Sequence, residues 1–500
     1  MKIYSIIKKS CAAIVLLAMS GCNSWMDIYP ENQQSSDQYW QSKEEVYAVL
    51  MGAYTNLRNS YQTYIQWGEL RGDGIDLLST SGDAYKIKNL DINISNSICK
   101  YSSLYTTIAR ANAVIKYSPG VIEKDITFTE GLSNSYIAEA IFIRTLCYFY
   151  LVRTFDRVPL VLEPYVDDSQ GFNVQVAERN VILNQLISDL KKYAPMCKPG
   201  YEVDWQNKGR ATSWACYALL ADICLWKGDY DQAIQACNKV ISSQRYSLVS
   251  NEEWYTLYYP GNSIESIFEL QWSNEFEQTN SLYTLFYNET NNATYKVSGA
   301  TRALFEDESI REVDVRGKAG SYLADATYDS KIWKYAGTGI YGADGEKRGT
   351  SERDANWIVY RYADILLIKA EALVMKGQEN YQEAFDLVKE IRTRAGHTID
   401  LDFPVSEQEA LNMVINERQR EFVAEGKRWF DILRVASRNS FTTYKSYLTD
   451  VLLENVAAKD RPQWEAKLSD TNSYFLPIHK NEITNSGGTL LQNPYYANQE

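Results

Sequence analysis

Acidic side chains that could act together in catalysis are concentrated in one segment, INERQREFVAEGKRWFDILR, at residues 415–434. Glu417, Glu421 and Glu425 recur every four residues, so they share one face of a predicted helix. Glycosidases need two carboxyl groups roughly 5–10 Å apart, which makes Glu417 with Glu421 or Asp431 a candidate acid–base pair. Because cationic side chains lie beside them and nothing marks one acid as the proton donor, the pattern favours an ion-paired structural helix.

Other catalytic chemistries lack the residues they need. The chain has only two histidines, His397 and His479, in different sequence contexts, and it contains no HExxH, GxSxG, GxxxxGK(S/T) or strand-associated GxGxxG motif. The sequence therefore argues against a metal-dependent or histidine-based hydrolase, and we predict no catalytic residues, metal or cofactor. Its 64 acidic residues leave room for a calcium ion that orders a loop, but no motif predicts one.

The first residues have the features of a bacterial lipoprotein signal. Three lysines precede the stretch AAIVLLAMSGC at residues 12–22, which ends with two small residues and Cys22. The apolar run is too short to cross a bilayer as a stable helix, so it predicts a cleaved signal peptide over residues 1–21. Lipid on Cys22 and a polar tether over residues 22–37 are then expected to hold the remaining chain at a membrane.

The net charge restricts the possible partners, and the cysteine spacing indicates the state of the thiols. The formal net charge of the 500-residue chain is −13, so it repels phosphate backbones and we expect no nucleic-acid partner. Six of the eight cysteines follow Cys22, and none has CxxC spacing. In a chain of this length they are typical of buried core thiols, with disulfides as the alternative.

Hydrophobic periodicity predicts a mainly α-helical protein. Residues 38–58 and 101–117 each have one apolar face. Residues 133–155 are apolar on nearly all sides, which predicts a deeply buried helix. Pro119 and Gly120 are expected to end the second of these helices.

Two later segments share a tetratricopeptide pattern. Residues 218–241 and 367–391 each place an alanine seven residues before a glycine, then a tyrosine three residues before another alanine. Alanines allow paired helices to approach closely and the glycine frees the backbone at the turn, so both segments predict helical pairs. With the β-like stretch 264–272 and irregular segments near 61–100 and 273–357, the prediction is a tetratricopeptide-like scaffold with a loop-rich portion and a few short β-strands.

Four segments together resemble the SusD/RagB family of outer-membrane nutrient-binding lipoproteins. They are AEAIFIRTLCYFYLVRTFDRVPLV at 138–161, YRYADILLIKAEAL at 360–373, ERQREFVAEGKRWFDILR at 417–434 and YFLPIHKNEITNSGGTLLQNPYY at 474–496. Their order and spacing match the family over almost all of residues 38–500, which we take as one domain with helical repeats near 38–58, 101–155, 210–244 and 360–395. Two departures are Arg157, where the family commonly has glycine, and His479, where it often has proline.

The resemblance implies a helical scaffold of tetratricopeptide-like pairs on the cell surface. It also implies a non-catalytic lid on a partner SusC-like, TonB-dependent transporter, to which such proteins deliver captured glycans or other nutrients. Glycan binding in the family usually uses a shallow arc of aromatic rings flanked by polar side chains.

Loop residues of this chain offer the same chemistry, because aromatic rings pack on the apolar faces of sugars while amides and carboxylates bind hydroxyl groups. The family motifs do not mark such positions, so we predict them from the irregular segments alone. The candidates are aromatic or polar loop residues: Tyr283, Tyr287, Asn291, Tyr295, Tyr341, Asp344, Tyr85 and Asp83.

The leading hypothesis is a lipid-anchored outer-membrane protein that binds oligo- or polysaccharide and passes it to a transporter. One alternative keeps this role with peptide or glycopeptide cargo. Two others are a lipid-anchored glycoside hydrolase that uses the acids named above, and a scaffold that binds partner proteins through its helices.

Overall fold

A computed structural model gives the architecture of residues 39–164, 175–287, 294–306, 314–324, 330–349, 352–397 and 401–498, which are the residues described below. The predicted signal peptide, the lipidation site Cys22, the tether and the predicted ligand residue Asn291 lie outside these ranges. The described part is mostly helical with a few short strands, which confirms the predicted fold class.

Helices and strands alternate irregularly along the chain. The first part contains helices α1 (Lys43–Asn59) and α2 (Tyr61–Glu69), strand β1 (Ile75–Leu77), helices α3 (Gly82–Lys88), α4 (Ser102–Val121) and α5 (Glu130–Phe155), strands β2 (Val158–Pro159) and β3 (Val176–Ala177), and helices α6 (Arg179–Tyr193), α7 (Gln206–Gly209), α8 (Ser213–Lys227) and α9 (Tyr230–Ser242). The second part contains strand β4 (Ser266–Leu270), helix α10 (Leu282–Phe286), strand β5 (Tyr295–Val297), helix α11 (Gly299–Ala303), strand β6 (Trp357–Arg361), and helices α12 (Tyr362–Val374), α13 (Tyr381–Arg394), α14 (Glu407–Glu421), α15 (Arg428–Ala436), α16 (Lys445–Glu454), α17 (Arg461–Ser469) and α18 (Lys480–Asn485).

The longer helices pack on one another in a continuous series. Helix α4 packs against α1 and α5, α5 packs against α6, and α6 packs against α8. The series continues from α8 to α9, from α9 to α12, and from α12 to both α13 and α14. Each helix therefore buries its apolar face against a neighbour, as expected for stacked helical repeats.

Both predicted tetratricopeptide pairs are present. Helices α8 and α9 are joined at Gly228, whose φ of 84° is left-handed, and Asp229 caps α9 by accepting a hydrogen bond from the Gln232 N–H. In the second pair, Gly377 has a φ of 119° between α12 and α13. Glycine adopts such backbone angles at no steric cost, which is why the sequence places it at both turns.

Two helix boundaries differ from the prediction. Helix α1 begins at Lys43 rather than near residue 38 because Ser42 and Glu45 form a capping box, in which each side chain accepts a hydrogen bond from the other's backbone N–H. Helix α4 includes Pro119 and ends at Val121. A proline in the last turn removes only one helix hydrogen bond, which the helix tolerates at its end. The helix therefore continues for two residues beyond Pro119.

Helix α5 lies in the centre of the hydrophobic core. Every residue from Ile137 to Phe155 is buried, which confirms the prediction for this segment. The helix is long and apolar enough to cross a membrane, but it is enclosed by protein along its whole apolar length, as in the core helix of a globular protein. The six cysteines that follow Cys22 are free and buried, as predicted.

Short antiparallel sheets connect segments that are distant in sequence. Strand β4 pairs with β6, with Phe268 opposite Tyr360, and confirms the predicted β-like stretch. Strand β1 pairs with β5, with Ile75 opposite Val297, and β2 pairs with β3. The irregular segments are thus tied to one another through these pairings.

Buried ion pairs join the irregular portion to the helices. We call the set of side chains the glutamate network: Glu265, Glu417, Glu421, Glu425, Arg316, Lys334, Arg361 and Arg394. None of the four glutamates has exposed surface apart from 2% of Glu425. Charges buried to this degree are tolerated only when each has a partner, so the network fixes the relative positions of the elements that carry it.

Arg361 pairs with three glutamates of this network. Its Nη1 atom lies 2.6 Å from Glu265 Oε1 and 2.5 Å from Glu421 Oε1, and its Nη2 atom lies 3.1 Å from Glu425 Oε1. Burial alone raises the pKa of Glu425, but Arg361 and Lys334 outweigh it and lower that pKa to about 2. Glu425 is therefore ionised at neutral pH.

Replacing Arg361 by methionine should be strongly destabilising. R361M leaves three buried carboxylates without their shared cation, so we expect the free energy of unfolding to fall by about 3–5 kcal/mol in equilibrium urea denaturation. K376A is the control, because it removes an ion pair to Asp231 whose side chains are 39% and 70% exposed. We expect that change to cost less than about 1 kcal/mol. Similar losses in both variants would contradict a special role for the network.

Candidate functional site

The candidate glycosidase pair does not face a ligand. Glu417 and Glu421 have no exposed surface, and the Arg316 Nη1 atom lies 2.6 Å and 2.8 Å from their carboxylate oxygens. Asp431 is also buried and pairs with Arg418 at 2.9 Å. Burial opposes ionisation of Glu421, yet its arginine partners hold its pKa well below the ordinary value. The structure therefore confirms that these acids are ion-paired and corrects the glycosidase alternative. It also corrects the single predicted helix, because α14 ends at Glu421 and Glu425 lies in the turn before α15.

Three of the predicted ligand-binding tyrosines belong to an aromatic core. Tyr283, Tyr287 and Tyr295 are 3%, 5% and 1% exposed. The ring centroid of Tyr287 lies 5.5 Å from that of Tyr283 and 5.6 Å from that of Trp333, and Tyr295 packs on Phe286 at 5.9 Å. Rings enclosed in this way present no face to a sugar. The structure thus corrects the prediction for these three residues.

Two other predicted residues lie in the glycine-rich turn at 337–347. Tyr341 is 37% exposed and packs edge-on against Trp333 at 5.2 Å. Asp344 is exposed, and its Oδ1 atom accepts a hydrogen bond from the Ile340 N–H at 3.1 Å. Both remain accessible, so ligand contact by Tyr341 and Asp344 stays a prediction.

A cleft of about 820 Å³ opens between two distant parts of the chain. One wall comes from residues 71–91 and includes Tyr85, and the other comes from residues 452–467 and includes Trp464. Residues 296–299 contribute to the floor. The volume is within the range of protein pockets that bind small ligands. We call this cavity the Tyr85–Trp464 cleft.

Strand pairing and backbone hydrogen bonds hold the floor of the cleft. The β1–β5 pairing continues into a hydrogen bond of 3.2 Å from the Ser298 N–H to the Gly74 carbonyl oxygen. The Thr301 hydroxyl donates to the same oxygen at 2.9 Å, and the Ser298 hydroxyl donates to the Asp73 carbonyl. The backbone polar groups of this segment are therefore satisfied, and the floor is rigid.

Most acidic groups of the cleft have cationic partners close by. Asp73 forms a two-pronged ion pair with Arg428, with distances of 2.5 Å and 3.1 Å. Burial opposes ionisation of Asp73, but Arg428 outweighs it and lowers the pKa below the ordinary value. Lys88 Nζ lies 3.3 Å from Asp76 Oδ1, so this acid is compensated too.

A buried arginine, Arg71, belongs to the lining of the cleft. The Arg71 Nη1 atom donates to the Tyr474 carbonyl at 2.5 Å, and its guanidinium lies 4.4 Å from the Trp429 ring centroid. Burial lowers the pKa of Arg71 to about 10, so it keeps its charge at neutral pH. Asp73 and Asp76 are thus paired within the protein, whereas Arg71 holds its positive charge against a carbonyl oxygen and an aromatic ring. The lining offers hydrogen-bond donors and acceptors of the kind that bind hydroxyl groups.

The two predicted residues of the early irregular segment have different roles. Tyr85 is 37% exposed and lines the cleft. Asp83 does not line it, because its Oδ2 atom accepts hydrogen bonds from the Ser97 hydroxyl at 2.6 Å and the Ser97 N–H at 2.8 Å. These hydrogen bonds lower the pKa of Asp83 and connect the first turn of α3 to the segment that precedes α4.

Sequence reasoning missed Trp464. It lies in the polar helix α17, where it is the one aromatic residue among RPQWEAKLS, and this isolation was the available signal. Its position across the cleft from residue 85 depends on the packing of α15, α16 and α17, which sequence periodicity does not reveal. Among the described residues, no group of three or more His, Cys, Asp and Glu side chains could hold a metal ion.

Helix α2 approaches the segment before α15 so closely that one position must be glycine. A Cβ atom on Gly68 would overlap the Gly426 carbonyl oxygen, so we expect G68A to lower the free energy of unfolding by about 1–3 kcal/mol in urea denaturation. G131A is the control, because a Cβ atom there meets nothing within 4 Å and alanine favours the helix by up to about 1 kcal/mol. Equal stability of G68A and G131A would contradict the close approach of Gly68 to the Gly426 carbonyl.

Related proteins share both sequence and family profile with this chain. The profile of the SusD family matches residues 227–496, and a profile described as starch-binding and associating with the outer membrane matches residues 24–225. A SusD-like protein of Formosa agariphila is 26% identical over 477 residues, covering 84% of this chain and 89% of that protein. A SusD-like protein of Bacteroides ovatus is 24% identical, covering 99% of this chain and 92% of the relative.

Solved structures share the fold. A SusD superfamily protein from Bacteroides vulgatus superposes with a TM-score of 0.74 at 20% identity, over 91% of this chain and 100% of that one. A laminarin-binding SusD-like protein superposes with a TM-score of 0.69 at 23% identity, over 91% of this chain and 99% of that one. Because the family profile spans residues 227–496, more than half of the chain, the predicted family is confirmed and this protein belongs to the SusD family.

Proposed function

We propose that this protein is a non-catalytic outer-membrane lipoprotein that binds a glycan in the Tyr85–Trp464 cleft and delivers it to a SusC-like, TonB-dependent transporter. The observation that carries glycan binding is the presence of two aromatic side chains, Tyr85 and Trp464, in the lining of one cleft that also contains many polar groups. Aromatic rings pack against the apolar faces of sugars, and the amides, carboxylates and amines between them bind hydroxyl groups. The proposed binding needs no cofactor.

Family membership supports this ligand class. One matched profile is described as starch-binding, and one solved SusD-like protein is described as laminarin-binding. The cleft contains both acidic and cationic side chains beside its two rings, a mixture of donors and acceptors that fits the hydroxyl groups of such a glycan. The acids that resemble a glycosidase pair are enclosed in ion pairs, which supports binding without hydrolysis.

The membrane part of the proposal depends on the N-terminal sequence and on the family. The lipobox before Cys22 predicts lipidation, and the profile that matches residues 24–225 is described as associating with the outer membrane. A lipid on Cys22 and the tether over residues 22–37 would keep the protein at the membrane while it moves as a lid on the transporter.

Removing both rings of the cleft should weaken glycan binding. We expect the mature double variant Y85A/W464A to lose about 5- to 150-fold in affinity, because two aromatic contacts of this kind contribute roughly 1–3 kcal/mol in total. The measurement is titration calorimetry against laminarin, starch, xylan, mannan and a protein digest. Binding of the digest with no glycan binding would replace the glycan by a peptide or glycopeptide cargo.

Y341A is the matched control for the cleft variant. Its ring has the same exposed fraction as Tyr85, 37%, but it does not line the cleft. Binding in the cleft alone predicts that Y341A binds like the unaltered protein, whereas weaker binding by both variants would add Tyr341 to the ligand contacts. Loss of affinity in Y341A together with full affinity in Y85A/W464A would move the binding site to the glycine-rich turn.

Replacing the lipidated cysteine should separate binding from uptake. We expect C22A to give a folded protein that binds glycan normally in calorimetry, because Cys22 lies outside the described domain and far before the cleft in sequence. Cells that carry C22A should no longer grow on the glycan as sole carbon source. Undiminished growth would refute the role of the anchor in uptake.

A further inference from the structure

A second cavity, of about 680 Å³, shares no lining residue with the Tyr85–Trp464 cleft. It lies between helix α1, residues 205–210 and residues 269–278, which include the end of strand β4. Two of its large aromatic side chains are open to water: Trp205 is 51% exposed and Phe276 is 71% exposed. Apolar surface of this extent, collected at one cavity, is typical of a binding site.

Polar groups and a third aromatic ring complete the lining. Trp272 is mostly buried, and the Arg58 guanidinium lies 5.8 Å from its ring centroid. Arg58 Nη1 donates to the Gln278 side chain at 2.6 Å and to the Gln271 carbonyl at 3.1 Å. All hydrogen bonds of Arg58 within the described residues use Nη1, so the Nη2 donors remain for a ligand.

Both exposed rings stand on anchored backbone. The Gln271 side chain donates to the Trp205 carbonyl at 3.1 Å and ties that segment to the end of β4. Phe276 lies in a 3-10 turn whose Asn274 N–H donates to Asp354 Oδ2 at 3.1 Å. Rings held in place before a ligand arrives lose little conformational freedom on binding.

We propose that this cavity is a second carbohydrate site, in which sugar rings pack on Trp205 and Phe276 while Arg58 and Asp354 bind their hydroxyl groups. Carboxylates outnumber cations in the lining, and Arg210 is already paired with Glu139 at 2.6 Å, so a polyanion is disfavoured. The alternation of rings with amide and charged groups matches a ligand that has apolar faces and polar edges.

The inference rests on the proposed glycan-binding function and adds a second attachment point for the same polymer. A polysaccharide held at both cavities dissociates only when both contacts open together, so its apparent affinity exceeds that of either site alone. A short oligosaccharide that fits one cavity has no such advantage. The second site therefore matters for capture of long chains.

Affinity electrophoresis in native gels tests the proposal on the mature chain. The gels contain laminarin, starch, xylan or mannan, and the proteins are the unaltered chain, W205A/F276A, Y85A/W464A and F403A. Phe403 is 47% exposed and lines neither cavity, so F403A is the control for loss of an exposed ring. For a polysaccharide that retards the unaltered protein, we expect W205A/F276A to weaken binding about tenfold and F403A to have no effect.

The outcomes separate this inference from the proposed function. Full polysaccharide binding by W205A/F276A overturns the second site. If only Y85A/W464A then binds the polysaccharide more weakly, the proposed function is intact. Weaker polysaccharide binding by W205A/F276A alone supports the second site and contradicts glycan binding in the Tyr85–Trp464 cleft. Absence of retardation by all four polysaccharides overturns both. Loss of transporter copurification by W205A/F276A with unchanged glycan binding identifies the cavity as a protein interface instead and overturns the proposal.

Discussion

The glutamate network is the constraint on which the rest of the structure depends. Glu421, at the end of α14, is bound by Arg316 from the irregular portion, Arg361 from the end of β6 and Arg394 from the end of α13. Each of these charges is buried, so none can lose its partner without a large cost in free energy. The network therefore sets one arrangement in which the helices and the irregular segments meet.

That arrangement extends to the binding cleft through the turn that follows α14. The Glu69 carboxylate accepts hydrogen bonds from the Gly426 and Lys427 N–H groups at 2.7 Å and 3.1 Å, although burial raises its pKa to about 7. Arg428, next in the chain, binds Asp73 in the floor of the cleft. The positions of the cleft walls are thus determined by buried polar contacts several residues away from any ligand.

Aromatic residues have two different roles in this protein, one in the core and one at the two cavities. Rings in the aromatic core, such as Tyr295, stabilise the irregular portion and are closed to solvent. Rings at the cavities, such as Tyr85 and Trp205, are placed on short helices or anchored turns and face water. The helical stack contributes a rigid base, and the connections between its helices present the groups that recognise ligands.

The sequence by itself determined the features that depend on local pattern. Periodicity identified the buried helix over residues 133–155 and both tetratricopeptide pairs. The spacing of Glu417 and Glu421 indicated an ion-paired helix, although Glu425, predicted on the same helix, lies in the turn after it. Only the tertiary structure decided which loop tyrosines are buried and that Tyr85 meets Trp464 across one cleft. The reason is physical: in an irregular segment no repeating pattern marks the inner face, so exposure depends on contacts with residues far away in the chain.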